Sequence, residues 1–262
     1  MSAIVIATVV IGVIGIVVGV ALVYIGNKFH VEVDERETAI REVLPGNNCG
    51  ACGYAGCDAV AAAIVSGEAS ASACPVGGAP VAEKINAIMG TSAEAAERRV
   101  AFVRCNGSCD NTFVRNNYVG IKDCRAASLS GLQPWSCDYG CLGFGSCATV
   151  CPQNAIVVKD GVASVDHESC VGCGLCVKAC PKKLIELVPY KQKTFVRCMN
   201  PDKGKDVKAA CQTGCIGCRL CTKQCEAGAI SVEGSLARID YSLCTNCGKC
   251  AEKCPQKSIV TG

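Results

Sequence analysis

Four stretches of this chain share one cysteine spacing, and that spacing leaves little freedom in what the chain can become. Cys170, Cys173, Cys176 and Cys180 are followed by Pro181, and Cys244, Cys247, Cys250 and Cys254 by Pro255. Two-residue gaps put three sulfurs on one tight loop, while the fourth, at the start of the next turn, reaches a neighbouring site. Cys215, Cys218, Cys221 and Cys225 keep the spacing with Glu226 in place of proline. Proline is not a ligand, so that change touches only the turn. The remaining run, Cys141, Phe144, Cys147, Cys151 and Pro152, has phenylalanine at its middle ligand position, and Cys137 is the nearest replacement.

Composition says that something bound to these cysteines holds the chain together. Of 262 residues, 25 are cysteine and 28 glycine, and aromatic residues make up 5 %, so the large side chains that fill an ordinary core are scarce. Collagen, ordinary disorder and a plain α/β enzyme are excluded. From Ser2 to Ile25 no residue is charged. As a helix this segment would extend roughly 36 Å, enough to span a bilayer. It lacks the basic n-region and cleavage site of a signal peptide. Lys28, Arg36 and Arg41 follow it and no basic residue precedes it, which places the rest of the chain in the cytoplasm, anchored by a single pass. Gly15 and Gly19 stand in GxxxG spacing, which either permits close packing with another membrane helix or reflects ordinary glycine usage there. In a reducing compartment disulfides are a poor explanation for so many thiols, and metal ligation takes their place.

The two complete runs match the bacterial ferredoxin pattern, in which thiolates grip [4Fe-4S] cubanes. Zinc ribbons need neither the third CxxC step nor the trailing proline. Phe102-Val-Arg-Cys105 recurs as Phe195-Val-Arg-Cys198, and Cys137-Asp-Tyr-Gly-Cys141 as Cys211-Gln-Thr-Gly-Cys215, so the region is an internal duplication of a two-cluster unit. Cross-ligation assigns Cys170, Cys173 and Cys176 with Cys151 to one cluster, and Cys137, Cys141 and Cys147 with Cys180 to its neighbour. In the second unit it assigns Cys215, Cys218 and Cys221 with Cys254, and Cys244, Cys247 and Cys250 with Cys225. Short alternating stretches, Ala155–Lys159 with Val162–Asp166 and Ala229–Glu233 with Ala237–Asp240, read as hairpins.

Ahead of the duplication stand Cys49, Cys52, Cys57 and Cys74, on a glycine-rich loop, an alanine-rich helix and a returning Cys-Pro. They form a fifth [4Fe-4S] site, with zinc as the alternative. Cys105, Cys109, Cys124, Cys198 and Cys211 remain. Four of them would suffice for a sixth cluster, and buried small hydrophobes are the equal alternative. The expected architecture is α+β: a transmembrane helix over residues 1–26, a small helical iron–sulfur domain over 27–78, and a helical linker over 79–101 with a capping box at Thr91 and Glu94. Tandem two-cluster ferredoxin-like units follow over 102–190 and 191–262.

In this order of parts the chain resembles the B subunit of the Rnf complex, the ion-translocating ferredoxin:NAD oxidoreductase, in its long form with two ferredoxin units. The anchor and the string Cys49 to Cys74 carry the most specific part of the likeness. The resemblance implies a relay subunit at the inner membrane of a prokaryotic cell that takes electrons from soluble ferredoxin and passes them to membrane and cytoplasmic partners, including flavoprotein and NAD-binding subunits. A membrane polyferredoxin serving a different reductase or dehydrogenase is the alternative.

No GxGxxG, Walker loop or Ser/His/Asp grouping offers other chemistry, so this chain lacks an NAD site and is enzymatic only as a relay. His30 reads as an interfacial residue and His167 as a surface one. Residues 1–170 carry 11 basic and 16 acidic side chains, and residues 171–262 carry 15 and 7, a balance of −5 against +8. Lys182, Lys183, Lys191, Lys193, Lys203, Lys205 and Lys208 are expected to steer an acidic ferredoxin, or else to offset cluster charge. Lysines not interleaved with aromatics argue against nucleic acid.

Overall fold

The computed structural model describes residues 2–28, 34–91 and 97–262. Helix α1 (Ser2–Lys28) is uncharged until Lys28 in its last turn. Its described side chains include the unbroken run Val9–Ile25, and the large ones, such as Ile11, Ile16 and Leu22, are exposed. Among the described residues no helix is long and apolar enough to cross a membrane. The expected span begins at Ser2 and so reaches beyond the described side chains. His30 and Glu94 also lie outside the described residues.

Three helices make the N-terminal unit: α2 (Glu35–Val43), α3 (Cys57–Val65) and α4 (Gly78–Met89). The Asp34 carboxylate accepts from the Arg36 backbone amide at 2.9 Å and so starts α2. Gly90, at φ 66°, ends α4 in a conformation that a residue with a Cβ adopts only under strain. Ile40, Val60, Ile64 and Ile85 close a small core between the three, with Cys57 in it and Cys52 and Cys74 packed against it.

The first ferredoxin-like unit comprises β1 (Arg99–Val103), α5 (Cys124–Ser130), α6 (Ser146–Thr149), β2 (Ile156–Lys159), β3 (Val162–Val165), α7 (Leu175–Ala179) and β4 (Ile185–Pro189). The second comprises β5 (Thr194–Val196), α8 (Gly204–Ala210), α9 (Leu220–Gln224), β6 (Ile230–Glu233), β7 (Leu236–Ile239), α10 (Lys249–Glu252) and β8 (Ile259–Thr261). The hairpins lie where alternation places them: β2 pairs with β3, Ile156 opposite Val165, and β6 with β7, Ile230 opposite Ile239. Each unit is also closed by a pair joining its two ends, β1 with β4 and β5 with β8. This corrects the expected linker 79–101. Its helix, α4, stops at Met89, and Arg99 to Ala101 are strand, because Val100 to Val103 form a continuous buried apolar run against β4.

The two copies of Phe-Val-Arg-Cys dock on each other reciprocally. The rings of Phe102 and Phe195 stack at 4.1 Å and 19°. Arg104 Nη2 donates to the Cys198 carbonyl at 3.4 Å, and Arg197 Nε donates to the Cys105 carbonyl at 3.1 Å. Such exchange of equivalent contacts is what an approximate two-fold relation between the units produces.

Candidate metal centres

In each of the four cysteine runs the middle ligand position is flanked by two residues with positive φ: Gly143 and Gly145, Gly172 and Gly174, Gly217 and Arg219, Asn246 and Gly248. The paired left-handed residues curl the chain and turn its sulfurs to one side. Close approach also enforces glycine at Gly172, where a Cβ would lie 2.2 Å from the Arg99 carbonyl oxygen.

Three of these loops face cavities edged by four cysteines each. Cys151, Cys170, Cys173 and Cys176 surround one, walled by Ala101 and Ile156. Cys215, Cys218, Cys221 and Cys254 surround the second, and Cys225, Cys244, Cys247 and Cys250 the third. In every case three sulfurs of one run meet the fourth cysteine of its partner run, the sets that cross-ligation assigned.

The fourth loop departs from the sequence assignment. Cys141, Cys147 and Cys180 share their cavity with Cys124, and Cys137 is not among the residues lining it. The thiol of Cys147, pushed up to about 11 by burial, also feels the charges of Cys141, Cys124 and Cys180. Cys124 opens α5, whose first amides are capped by Asp123. The Ser146 hydroxyl ties this helix to the loop, accepting from the Cys124 amide at 2.8 Å and donating to Asp123 at 2.6 Å. Phe144, at the vacated ligand position, packs its ring 5.2 Å from that of Tyr118. A signal existed: the only unit whose run lacks a middle cysteine is also the one with an insertion carrying surplus cysteines.

In the N-terminal unit Cys52, Cys57 and Cys74 come together at the core. Burial raises the Cys74 thiol, Cys57 and Cys52 add to this, and the Gly77 amide donates to its sulfur at 3.4 Å. Asn48 Oδ1 accepts from the Cys57 amide at 2.8 Å, fixing the start of α3 against the Cys49 loop. Cys49 is close enough for its charge to act on Cys173.

Of the five surplus cysteines, Cys105, Cys198 and Cys211 are buried and line a further cavity together with Cys137. Cys109 is exposed. His167, expected at the surface, is half-buried and forms a T-shaped contact with the Phe195 ring, with centroids 6.1 Å apart.

Burial pushes Cys176 up to about 12 and Cys221 up to about 11. Such thiols stay protonated at neutral pH unless a cation takes the proton's place. Amides face the sulfurs: Ala101 N donates to Cys170 at 3.4 Å, and Gln192 Nε2 to Cys244 at 3.3 Å. Four thiols, apolar walls and donors aimed at sulfur fit a [4Fe-4S] core, which takes one thiolate at each iron. Among the described residues no three of Cys, His, Asp or Glu converge as a single metal ion requires.

Comparison with known proteins agrees with this chemistry. Residues 44–76 match the family described as a putative Fe-S cluster, and residues 136–184 and 214–258 match the 4Fe-4S dicluster domain. The B subunit of the Na(+)-translocating ferredoxin:NAD(+) oxidoreductase complex of Acetobacterium woodii is 45 % identical over 99 % of this chain and 78 % of its own. The proton-translocating counterpart of Clostridium ljungdahlii is 44 % identical over 100 % and 95 %. The chain belongs to the family of Rnf complex B subunits. A third member, the B subunit of the ion-translocating oxidoreductase complex of Methanosarcina acetivorans, is 41 % identical over 94 % of both chains. Relatives equally similar to this chain thus bear the names of different ions, so likeness assigns neither ion here. The matched domains stop short of Cys105, Cys124, Cys198 and Cys211.

Proposed function

We propose that this chain is the electron-relay subunit of a membrane-bound, ion-translocating ferredoxin:NAD oxidoreductase. It takes electrons from soluble ferredoxin and passes them to the flavoprotein and NAD-binding subunits. The observation that carries the reading is the set of four cavities inside the ferredoxin-like units, each edged by four cysteines from separated parts of the chain. The ligands proposed there are Cys151, Cys170, Cys173 and Cys176; Cys124, Cys141, Cys147 and Cys180; Cys215, Cys218, Cys221 and Cys254; and Cys225, Cys244, Cys247 and Cys250. In the N-terminal unit the proposed ligands are Cys49 with Cys52, Cys57 and Cys74, the last three of which share one core.

Bound there, [4Fe-4S] clusters supply one-electron chemistry at potentials tuned by hydrogen bonds and burial. The chain's own residues bury or half-bury most of these cysteines, leaving Cys218 and Cys247 exposed, and hold donors toward several of the sulfurs. Nothing in these cavities calls for a proton acceptor or a hydride site.

Helix α1 serves as the membrane anchor in this reading. Its 27 residues correspond to about 40 Å. Its large apolar side chains stand exposed on all faces, which suits lipid and not water. Lys183, Lys191, Lys193, Lys203, Lys205 and Lys208 are exposed and supply the field that draws an acidic ferredoxin. Lys182 contributes less, because its Nζ donates to the Asp138 carbonyl at 2.9 Å.

The test is rapid mixing of reduced ferredoxin with the full chain, purified without oxygen in detergent. Bleaching of the thiolate-to-iron absorption, with re-oxidation of the ferredoxin, is the expected result. A colourless, iron-free preparation that leaves the ferredoxin reduced would sink the reading.

A further inference from the structure

We infer that Cys105, Cys137, Cys198 and Cys211 hold an additional [4Fe-4S] cluster at the seam between the two ferredoxin-like units, where it carries electrons from one unit to the other. The inference rests on the reading above for the remaining sites.

Each copy of the duplicated sequence contributes an equivalent pair of sulfurs. Cys105 and Cys198 follow the docked Phe-Val-Arg strings, and Cys137 and Cys211 stand four residues ahead of the runs beginning at Cys141 and Cys215. All four line one cavity. Two-fold related halves that each supply two thiols produce a four-thiol site only on their common axis, so neither unit could form it alone.

Donors meet all four sulfurs, and two of the donors are equivalent in the two copies. The Cys141 amide donates to Cys105 Sγ at 3.4 Å, and the Cys215 amide to Cys198 Sγ at 3.3 Å. Asn200 Nδ2 donates to Cys137 Sγ at 3.7 Å, and the Thr112 hydroxyl to Cys211 Sγ at 3.9 Å. A Cβ on Gly107 would stand 3.4 Å from Cys211 Sγ and 3.7 Å from Cys105 Sγ, so bare backbone forms part of the wall. Cysteines that merely fill a core pack tightly against carbon and leave no cavity ringed by donors.

Charge points the same way. Arg104 and Arg197 both line the cavity. Arg104 is buried and meets Glu186 at 3.5 Å, whereas among the described residues no carboxylate pairs with Arg197. A core held by four thiolates carries net negative charge, which two adjacent guanidinium groups compensate.

The site also has a place in the relay. Cys105 accepts from the amide of Cys141, a residue that lines both the seam cavity and the next cavity in the first unit, and Cys198 accepts from the amide of Cys215, which lines a cavity in the second. A cluster held by these four thiols would accept one electron from a reduced neighbour in one unit and give it up to an oxidised neighbour in the other. No bond forms or breaks and no proton moves.

The experiment is iron and sulfide analysis of the full chain, purified and reconstituted without oxygen, with spin counting after reduction. With four irons per cluster, six clusters give about 24 irons per chain and five give about 20. We expect about 24 for the native chain, about 20 for Cys211→Ala, and about 24 for Cys109→Ala, whose thiol is exposed and outside the cavities. Thr112→Val keeps the shape of the wall and removes one hydrogen bond to sulfur. It should retain about 24 irons and lower the midpoint potential of one centre alone. A native count of about 20, or Cys211→Ala and Cys105→Ala chains with undiminished iron and spin, would overturn the inference while leaving the other sites standing. An iron-free native chain would instead remove the reading on which it rests.

Discussion

Phe144 sits between Gly143 and Gly145, whose φ angles of 78° and 79° match the backbone on either side of Cys173 and Cys247. The loop therefore has the curl that serves a ligand although phenylalanine fills the position, while Cys124 lines the cavity beside Cys141, Cys147 and Cys180. Proximity in sequence pointed to Cys137, but proximity along a chain does not measure distance when an insertion intervenes. Cys105 and Cys137 are 32 positions apart, whereas their counterparts Cys198 and Cys211 are 13 apart. Cys124→Ala should cost about four irons per chain, and adding Phe144→Cys should restore them, because the loop already holds the required conformation. Iron analysis of the single and double variants decides this; undiminished iron in the single variant would return the role to Cys137. Glycines separate by the same reasoning. Gly234 has φ 62° with open space around it, so Gly234→Ala should cost about 1 kcal/mol in thermal unfolding. Gly172→Ala adds a Cβ 2.2 Å from a backbone oxygen and should prevent the cavity of Cys151, Cys170, Cys173 and Cys176 from loading, seen as about four missing irons.

At the scale of elements, the hairpins were legible because alternation and a glycine turn are local signals. The pairs that close each unit were not. Val100 faces Val188 and Phe195 faces Val260, and no local pattern announces a partner so far along the chain. The repeated Phe-Val-Arg-Cys string disclosed the duplication but not that the copies dock on each other. Phe102 and Phe195 are both buried in that contact, and Phe195 also meets the Tyr241 ring at 6.2 Å. Glu186 accepts from the Tyr241 hydroxyl at 2.8 Å beside its pairing with Arg104, so strand β4 of one unit is tied to the other. Phe195→Ala should destabilise the chain by about 3–5 kcal/mol, the usual cost of emptying a buried phenylalanine site. Because the seam holds Cys105 and Cys198, this variant should lose iron there first on warming, before the cavities inside each unit. Simultaneous loss from all cavities would show that the seam and the units melt as one body.

Across the whole molecule the proposed sites follow one another in a series. Cys49 of the N-terminal unit acts on Cys173, Cys176 of that cavity feels Cys147 of the next, and the seam leads on to Cys215. Charge gives the series a direction, with the net positive excess in the last part of the chain and the apolar helix at the opposite end. In the reading proposed above, a negatively charged ferredoxin is drawn to the basic end, and electrons then run toward the anchor helix. Exposed charges act over about 8 Å at physiological ionic strength, so the attraction governs the rate of encounter and not the tightness of a formed contact. The second-order rate of reduction by ferredoxin should therefore fall steeply as salt is raised. Replacing Lys203, Lys205 and Lys208 together by glutamine should lower the rate at low salt several-fold and flatten its salt dependence, leaving iron content unchanged. All three are exposed around helix α8, away from the hydrogen bonds that hold the sulfurs, so the substitution probes charge alone. A rate that ignores ionic strength in the native chain would mean that these lysines only balance the charge of the clusters, and that ferredoxin docks elsewhere along the series.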